Sequence, residues 1–325
     1  MRAIICEEFA SPETLKISEV AQPEPKGNEV LVRVESAGLG YVDALTVAGR
    51  YQIKPKLPFI PGNELSGVVE KTGTDVRHLR PGQRILASSS GGLAEFTLVE
   101  EERCTPIPDS LSHEAAAGFL VNYCTAYHGF NYCGKLQEKE TVLILGASGG
   151  VGIAAIDVAK AMGARVIAAA STEAKRDACL KAGANQVLDY SRDNWRDELR
   201  RILDGTPLNL VYDPVGGDFA EPALRSLGAD GRYLVVGFAG GDIPRFPINL
   251  MLLKRCSVIG VNWGGHIAEN PYISKEVLTT LLEWVVEEKI SPSSSDTFGL
   301  DDAGEAMMKM LNRQAIGKIV IHPQE

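Results

Sequence analysis

The chain has 325 residues, 45% of them hydrophobic and 23% charged, with a formal net charge of −9. That length carries about two domains with full-sized cores, and acidity with scattered Lys and Arg disfavours nucleic acid or an anionic membrane as the main partner. No apolar run approaches the length of a membrane span.

The first segment, MRAIICEEFASPE, meets acids after a short apolar run and does not read as a signal peptide. Residues 1 to about 120 hold short alternating runs, among them EVLVRVE at 29–35 and LSGVVE at 65–70. Pro-Gly turns at 61–62 and 81–82 punctuate them. This is the texture of an antiparallel β-domain.

From about 115 to 265 the pattern changes to strands alternating with helices. The stretch TVLILGASGGVGIAAIDVAKAMGARVIAAA at 141–170 carries the most information. Residues 141–145 form an apolar, β-branched run suited to a parallel strand covered on both faces. A turn with Gly146, Gly149, Gly150 and Gly152 follows. A helix then runs to Gly163, a left-handed cap, and 165–170 is the second strand. Ala147, Gly149 and Gly152 occupy the small-residue positions of a G-x-G-x-x-G pattern in the strand–helix–strand context it requires. Ala147, Ser148, Gly149, Gly150, Val151 and Gly152 are therefore read as a dinucleotide turn, with backbone N–H groups and a helix N-terminus facing a pyrophosphate. No Gly-Lys-Ser/Thr follows, which excludes a P-loop.

An NAD-preferring site places an acid at the end of the second strand. Here stand Ser171 and Thr172, then Lys175 and Arg176, with Glu173 expected to face solvent. A hydroxyl and cations suit a 2′-phosphate, so NADPH is favoured over NADH. The alternative for the two cations is a solvated helix face.

Further strands are read at 186–188, 208–213, 233–237 and 257–261, giving an α/β class with a doubly wound parallel sheet. Helices are read at about 275–288 and at 301–313, the latter with Asp301 as cap, before a final strand in GKIVIH. Cys6, Cys104, Cys124, Cys133, Cys179 and Cys256 show neither disulfide density nor C-x-x-C spacing, as expected of reduced thiols in a cytoplasmic protein. His78, His113, His128, His266 and His322 are isolated from one another in sequence.

Four segments then carry a family resemblance: AGLGYVDALTVAGRYQIKPKLPFIPGNELSGVVE at 37–70, GASGGVG at 146–152, YDPVGG at 212–217, and GRYLVVGFAGG with SVIGVNWGG between 231 and 265. The chain resembles the medium-chain dehydrogenase/reductase superfamily nearly end to end, in its zinc-free quinone oxidoreductase (ζ-crystallin-like) branch. The resemblance implies a GroES-like β-domain at 1–122 completed by 296–325, a Rossmann domain at 123–265, and a connecting helix and loop at 266–295. The active site would lie in the cleft between the domains. Zinc-dependent relatives carry a cysteine in the segment matched here by GLGYVD and a histidine in a Gly-His-Glu triplet. This chain has no such cysteine and reads Gly62-Asn63-Glu64. A catalytic zinc needs three protein ligands, and no metal is expected.

Without a Lewis acid, carbonyl polarisation falls to hydrogen-bond donors. That suits quinones or activated α,β-unsaturated carbonyl compounds (enones). The resemblance places Tyr41 and Tyr51 at the nicotinamide end as candidate proton donors, an aromatic pocket wall being the alternative for each. Asp43 is expected to hold a turn. Gly40 stands where relatives have Asn, which removes a donor and widens the pocket. For the cofactor the resemblance adds Thr125, Tyr190 stacked on adenine, Gly237, Phe238, Ala239, Val261, Asn262, Trp263 and Lys318; the last is alternatively a surface lysine, and Phe238 and Trp263 alternatively pack. It also implies a homodimer through the edge strand at 257–261. Two rival readings stand: a dedicated enoyl or acrylate-type reductase, and a non-enzymatic NADPH-binding protein of crystallin type.

Overall fold

The structure is a computed structural model that describes residues 1–325, the side chain of Pro271 excepted. In chain order the first strands are β1 (Arg2–Ile5), β2 (Lys16–Glu19), β3 (Glu29–Leu39), β4 (Glu64–Thr72), β5 (Arg84–Ser88), β6 (Phe96–Glu100) and β7 (Cys104–Pro106). Helix α1 (Tyr41–Val47) interrupts them, and α2 (His113–Ala117) and α3 (Phe119–Tyr127) follow. Next come β8 (Thr141–Ile144), α4 (Gly150–Ala161), β9 (Arg165–Ala169), α5 (Glu173–Lys181), β10 (Gln186–Leu188), α6 (Trp195–Leu203), β11 (Leu210–Asp213), α7 (Ala220–Ser226) and β12 (Arg232–Val235). The chain closes with α8 (Asn249–Lys254), β13 (Ser257–Gly260), α9 (Trp263–Glu269), α10 (Pro271–Val286), β14 (Asp296–Gly299), α11 (Ala303–Leu311) and β15 (Ile319–His322).

These elements form two compact units, Met1–Val121 with Pro292–Glu325, and Asn122–Ser291. In the first, the strands order as β14-β15-β3-β4-β5-β7, with β6 also paired to β3. All pairs are antiparallel except β14–β15. The alternation seen in EVLVRVE puts Val30, Val32 and Val34 into one core with Leu65, Ile85, Leu93 and Ile321. Helix α11 closes that core with Ala303, Ala306 and Met307. A short helical turn at Leu300–Asp302 precedes α11, so Asp302 rather than Asp301 precedes its first residue, and no side chain caps it.

The second unit is a six-stranded parallel sheet in the order β10-β9-β8-β11-β12-β13. All four residues of β8 and of β11 are buried, as befits strands with helices on both faces. Trp195, Leu199 and Leu203 recur four apart on α6 and form its buried stripe against Leu188, Val211 and Leu224. The order reverses between β8 and β11, the switch point at which doubly wound sheets bind ligands beyond the carboxyl ends of their strands. Residues 266–291, expected as a connector, belong to this unit through α9 and α10.

Candidate functional site

Each unit brings together a set of the residues singled out in the sequence. In the parallel-sheet unit every one of them except Thr125 lies just past a strand's carboxyl end or at the start of the following helix. The turn after β8 is laced down by Ala147 N–H on the Ala169 carbonyl (3.1 Å) and Gly149 N–H on the Gly146 carbonyl (3.1 Å). Gly146 adopts φ +55°, which L side chains rarely adopt. A Cβ on Gly152 would lie 2.5 Å from the Ala147 carbonyl oxygen, so only glycine lets α4 press onto the turn. Gly149 differs: a Cβ there would meet nothing closer than 3.6 Å, and its φ of −77° suits any residue. The protein does not itself require glycine at 149, and what the missing side chain leaves open is the approach to the start of α4. Gly149 is the helix N-cap with no side-chain cap. The first-turn N–H groups of α4, on Gly150, Val151 and Gly152, therefore have no intrahelical acceptor, and the helix dipole adds partial positive charge.

Past β9, Thr172 caps α5 by accepting the Lys175 N–H (3.4 Å), and Glu173 is solvent-exposed as expected. Lys175 and Ser171 are half-buried. Arg176 does not join them as a loose cation: its guanidinium lies 3.1 Å from the Asp189 carboxylate and also donates to the Ala170 carbonyl. Burial would raise the Asp189 carboxyl, but Ser191 and the charges of Arg176 and Arg192 hold it below the usual range. Of the two cations read from sequence, Arg176 is thus engaged by a partly buried acid just past β10. Tyr190 packs against Phe219, ring centroids 4.4 Å apart.

Past β11, one carboxylate organises two loops. Asp213 is 2% exposed; Oδ1 accepts the N–H groups of Val215 (2.7 Å) and Gly216 (2.9 Å), and Oδ2 accepts the Tyr233 hydroxyl. Burial pushes the Asp213 carboxyl up, against these donors. The loop after β12 is then tied to this turn, with Ala239 N–H on the Pro214 carbonyl and Gly240 N–H on that of Val215. Gly237, Phe238 and Ala239 are held this way, and Phe238 keeps 40% of its surface exposed. Asp213 was visible in the YDPVGG motif but was given no role; its buried position on a central strand supplies one.

The side chains of Val261 and Trp263 turn to packing, while Asn262 between them stays solvent-exposed. Val261 and Trp263 are buried, Trp263 beside His128 at 5.4 Å between centroids. The Asn262 side chain caps α9 by accepting the Gly265 N–H (3.0 Å). Thr125 is buried on α3.

In the antiparallel unit, Asp43 is 3% exposed. Its Oδ2 accepts the Gly40 N–H (2.7 Å) at the start of α1, where Tyr41 is the first residue. Its Oδ1 accepts both the side-chain amide (2.6 Å) and the backbone N–H (3.2 Å) of Asn63. Burial raises the Asp43 carboxyl to about 6, opposed by the Gly40 N–H and by the charge of Lys318. Tyr41 and Tyr51 are both half-buried, and the Tyr51 backbone is anchored to the Leu45 carbonyl.

Lys318 is no surface lysine. It is 6% exposed and paired with Glu64, whose other oxygen accepts the Val121 N–H at 3.0 Å. Sheet order explains the meeting, since β15 lies beside β3 and β3 beside β4, with Gly38 opposite both Val320 and Glu64. Gly38 and Gly118 form a slot for the lysine stem: a Cβ on either would come within 2.8 Å of it. Glu64 stood next to Asn63 in the sequence without an assigned role, because its partner is 254 residues away.

The donor set can also be tested against zinc. The Asn63 amide turns its nitrogen to Asp43 and offers no imidazole. Among the described residues no group of three or more His, Cys, Asp or Glu is placed to hold a metal ion. These residues do not fit a catalytic zinc.

A six-stranded parallel sheet with this order and this glycine turn defines a dinucleotide-binding unit, here carried in one chain with a GroES-like antiparallel unit. Residues 26–109 match the family model for the alcohol dehydrogenase GroES-like domain, and 150–285 that for zinc-binding dehydrogenase. The chain is 37% identical to a quinone oxidoreductase-like protein 2 homolog of Nematostella vectensis, over 100% of this chain and 89% of the relative. Among solved structures it resembles the Escherichia coli quinone oxidoreductase complexed with NADPH, with TM-score 0.89, 27% identity and coverage of 99% and 100% of the two chains. It also resembles a Pseudomonas syringae quinone oxidoreductase, with TM-score 0.88, 26% identity and 99% of each chain covered. The chain belongs to the medium-chain dehydrogenase/reductase superfamily, in its quinone oxidoreductase-like branch. No helix is long and apolar enough to cross a membrane among the described residues.

Proposed function

We propose that the chain is a zinc-independent, NADPH-dependent oxidoreductase that reduces quinones or activated α,β-unsaturated carbonyl compounds. The observation that carries the cofactor half is the α4 start: unpaired N–H groups behind a glycine at 149 that the protein's own packing does not demand. Similarity to an NADPH-complexed quinone oxidoreductase supports the same reading. Ala147, Ser148, Gly149, Gly150, Val151 and Gly152 would hold the pyrophosphate. Ser171 and Lys175 would take the 2′-phosphate, Tyr190 the adenine, and Gly237, Phe238, Ala239, Val261, Asn262 and Trp263 the nicotinamide end, with Thr125. Bound NADPH supplies hydride chemistry. The chain supplies orientation and exclusion of water, and Tyr41 and Tyr51 are its candidate proton donors to the reduced acceptor. Zinc independence is supported by Asn63, whose amide nitrogen is engaged by Asp43.

Lys318 belongs to this reading only conditionally, since its ammonium already holds Glu64; a phosphate would have to share it. A homodimer through β13 is part of the same proposal. That strand is an edge of the parallel sheet with Val258 37% exposed, and Ile248, Leu252 and Leu253 leave an apolar surface shortly before it in the chain. A cytoplasmic location is supported by six cysteines without a disulfide.

The test is NADPH oxidation with a quinone panel beside an enone and acryloyl-thioester panel. Turnover of quinones or simple enones is expected. Turnover confined to acyl thioesters would favour a dedicated enoyl or acrylate-type reductase, and none at all would leave a crystallin-like NADPH-binding protein. Lys175→Ala is expected to raise the KM for NADPH several-fold and leave that for NADH unchanged. Equal effects on both would remove Lys175 from the 2′-phosphate.

A further inference from the structure

Asn63 is solvent-exposed yet almost fully immobilised. Its backbone N–H and its side-chain nitrogen both donate to Asp43 Oδ1, and its carbonyl accepts the Ser89 N–H at 3.1 Å. The preceding Gly62, at φ +101°, packs so closely on the Gly92–Leu93 backbone that a Cβ would lie 2.9 Å from it. An ionised carboxylate only accepts hydrogen bonds, so the amide can face Asp43 in one sense only. Nδ2 turns inward and Oδ1 is left outward. Among the described residues that oxygen has no hydrogen-bond partner. Donation of Nδ2–H to a carboxylate also polarises the amide and makes its oxygen a better acceptor. Asp43 sets Tyr41 by the same means, since its other oxygen fixes the Gly40 N–H at the start of α1.

We propose that Asn63 is a specificity-determining residue, presenting a preset acceptor oxygen to substrates that carry a hydroxyl or amide N–H beside the reducible carbonyl. Asp43 is the positioning residue behind it. This rests on the quinone or enone reductase reading above and narrows it, because a rigid acceptor oxygen discriminates between two substrates that differ only in a donor.

The experiment compares 2-methyl-1,4-naphthoquinone with 2-(hydroxymethyl)-1,4-naphthoquinone in the wild-type chain, in Asn63→Ala and in Asp43→Asn. The wild type is expected to prefer the hydroxymethyl compound. Asn63→Ala is expected to lower kcat/KM for it by about 3- to 10-fold, mainly through KM, with the methyl compound changed less than twofold. Asp43→Asn keeps the volume but brings an NH2 against one of two donors, so one of the two contacts is lost. It is expected to abolish the same preference. A merely structural role would depress both quinones equally, and that result overturns the proposal. So does an Asn63→Ala chain that weakens NADPH binding, followed by nucleotide fluorescence, while still favouring the hydroxymethyl compound. A wild type that turns over neither quinone and no member of the wider panel removes the reductase reading itself, and the specificity role with it.

Discussion

Replacing Lys318 by Met tests whether the buried ion pair is a structural necessity of the antiparallel unit. The Lys318 side chain is 7% exposed and that of Glu64 2%. Lys318→Met keeps the apolar stem in its glycine slot and removes the ammonium, leaving a carboxylate in the interior with one N–H, that of Val121, as its remaining partner. Breaking a buried pair from one side costs about 3–5 kcal/mol, because the surviving charge is uncompensated. At roughly 2–4 °C per kcal/mol for a domain of this size class, the unit's melting transition should fall by ~10 °C. Glu64→Gln in the same background removes the second charge and keeps an acceptor for Val121. The double variant should therefore recover most of the loss, giving a coupling of about 2 kcal/mol or more. Scanning calorimetry on the wild type, both single variants and the double variant measures this cycle. A Lys318→Met chain within about 1 kcal/mol of wild type, or a double variant no better than Lys318→Met, would refute the reasoning.

Three further outcomes are expected. The folded-state carboxyl of Asp43, raised to about 6 by burial, binds a proton more readily than in the unfolded chain. Its charge therefore opposes folding above that pH, and the penalty fades as pH falls from about 6 towards 4. Compared with Asp43→Asn, the wild type should gain stability over that window in urea melts; parallel pH profiles would contradict it. Gly152→Ala places a methyl against the Ala147 backbone, so a loss of about 1–3 kcal/mol is expected, with weakened NADPH binding by fluorescence titration. Unchanged binding would mean that the turn does not hold the nucleotide. Val258→Lys puts charge on the exposed edge strand; under the proposed β13 dimer, sedimentation should show a dimeric wild type and a monomeric variant, and a monomeric wild type or an undiminished dimer in the variant would contradict that proposal.

The legible parts of this sequence were those in which a local period or a turn chemistry carries the information. The β-branched run at 141–145, the glycine turn and the helix to Gly163 are found as β8, the turn and α4, because a fully buried strand and a left-handed cap each leave a local signature. Asp43 was expected to hold a turn, and it does so at Gly40. Element ends were less legible: a short helical turn intervenes, so the position before α11 falls on Asp302 instead of Asp301, and no side chain caps the helix.

What the sequence by itself determined is the dinucleotide unit and the antiparallel partner, since both are written in residues close together along the chain. Tertiary structure alone decided which charges are available. Arg176, on α5, is claimed by Asp189 just past β10, and Lys318 by Glu64 through strands that meet only in the folded sheet. It also decided that the amide at 63 faces Asp43 with its nitrogen, twenty residues apart in sequence. The physical reason is shared: a carboxylate buried, as Glu64 and Asp43 are, or partly withdrawn from water, as Asp189 is, takes whatever donors the fold brings to it, and no spacing along the chain records which donors those are.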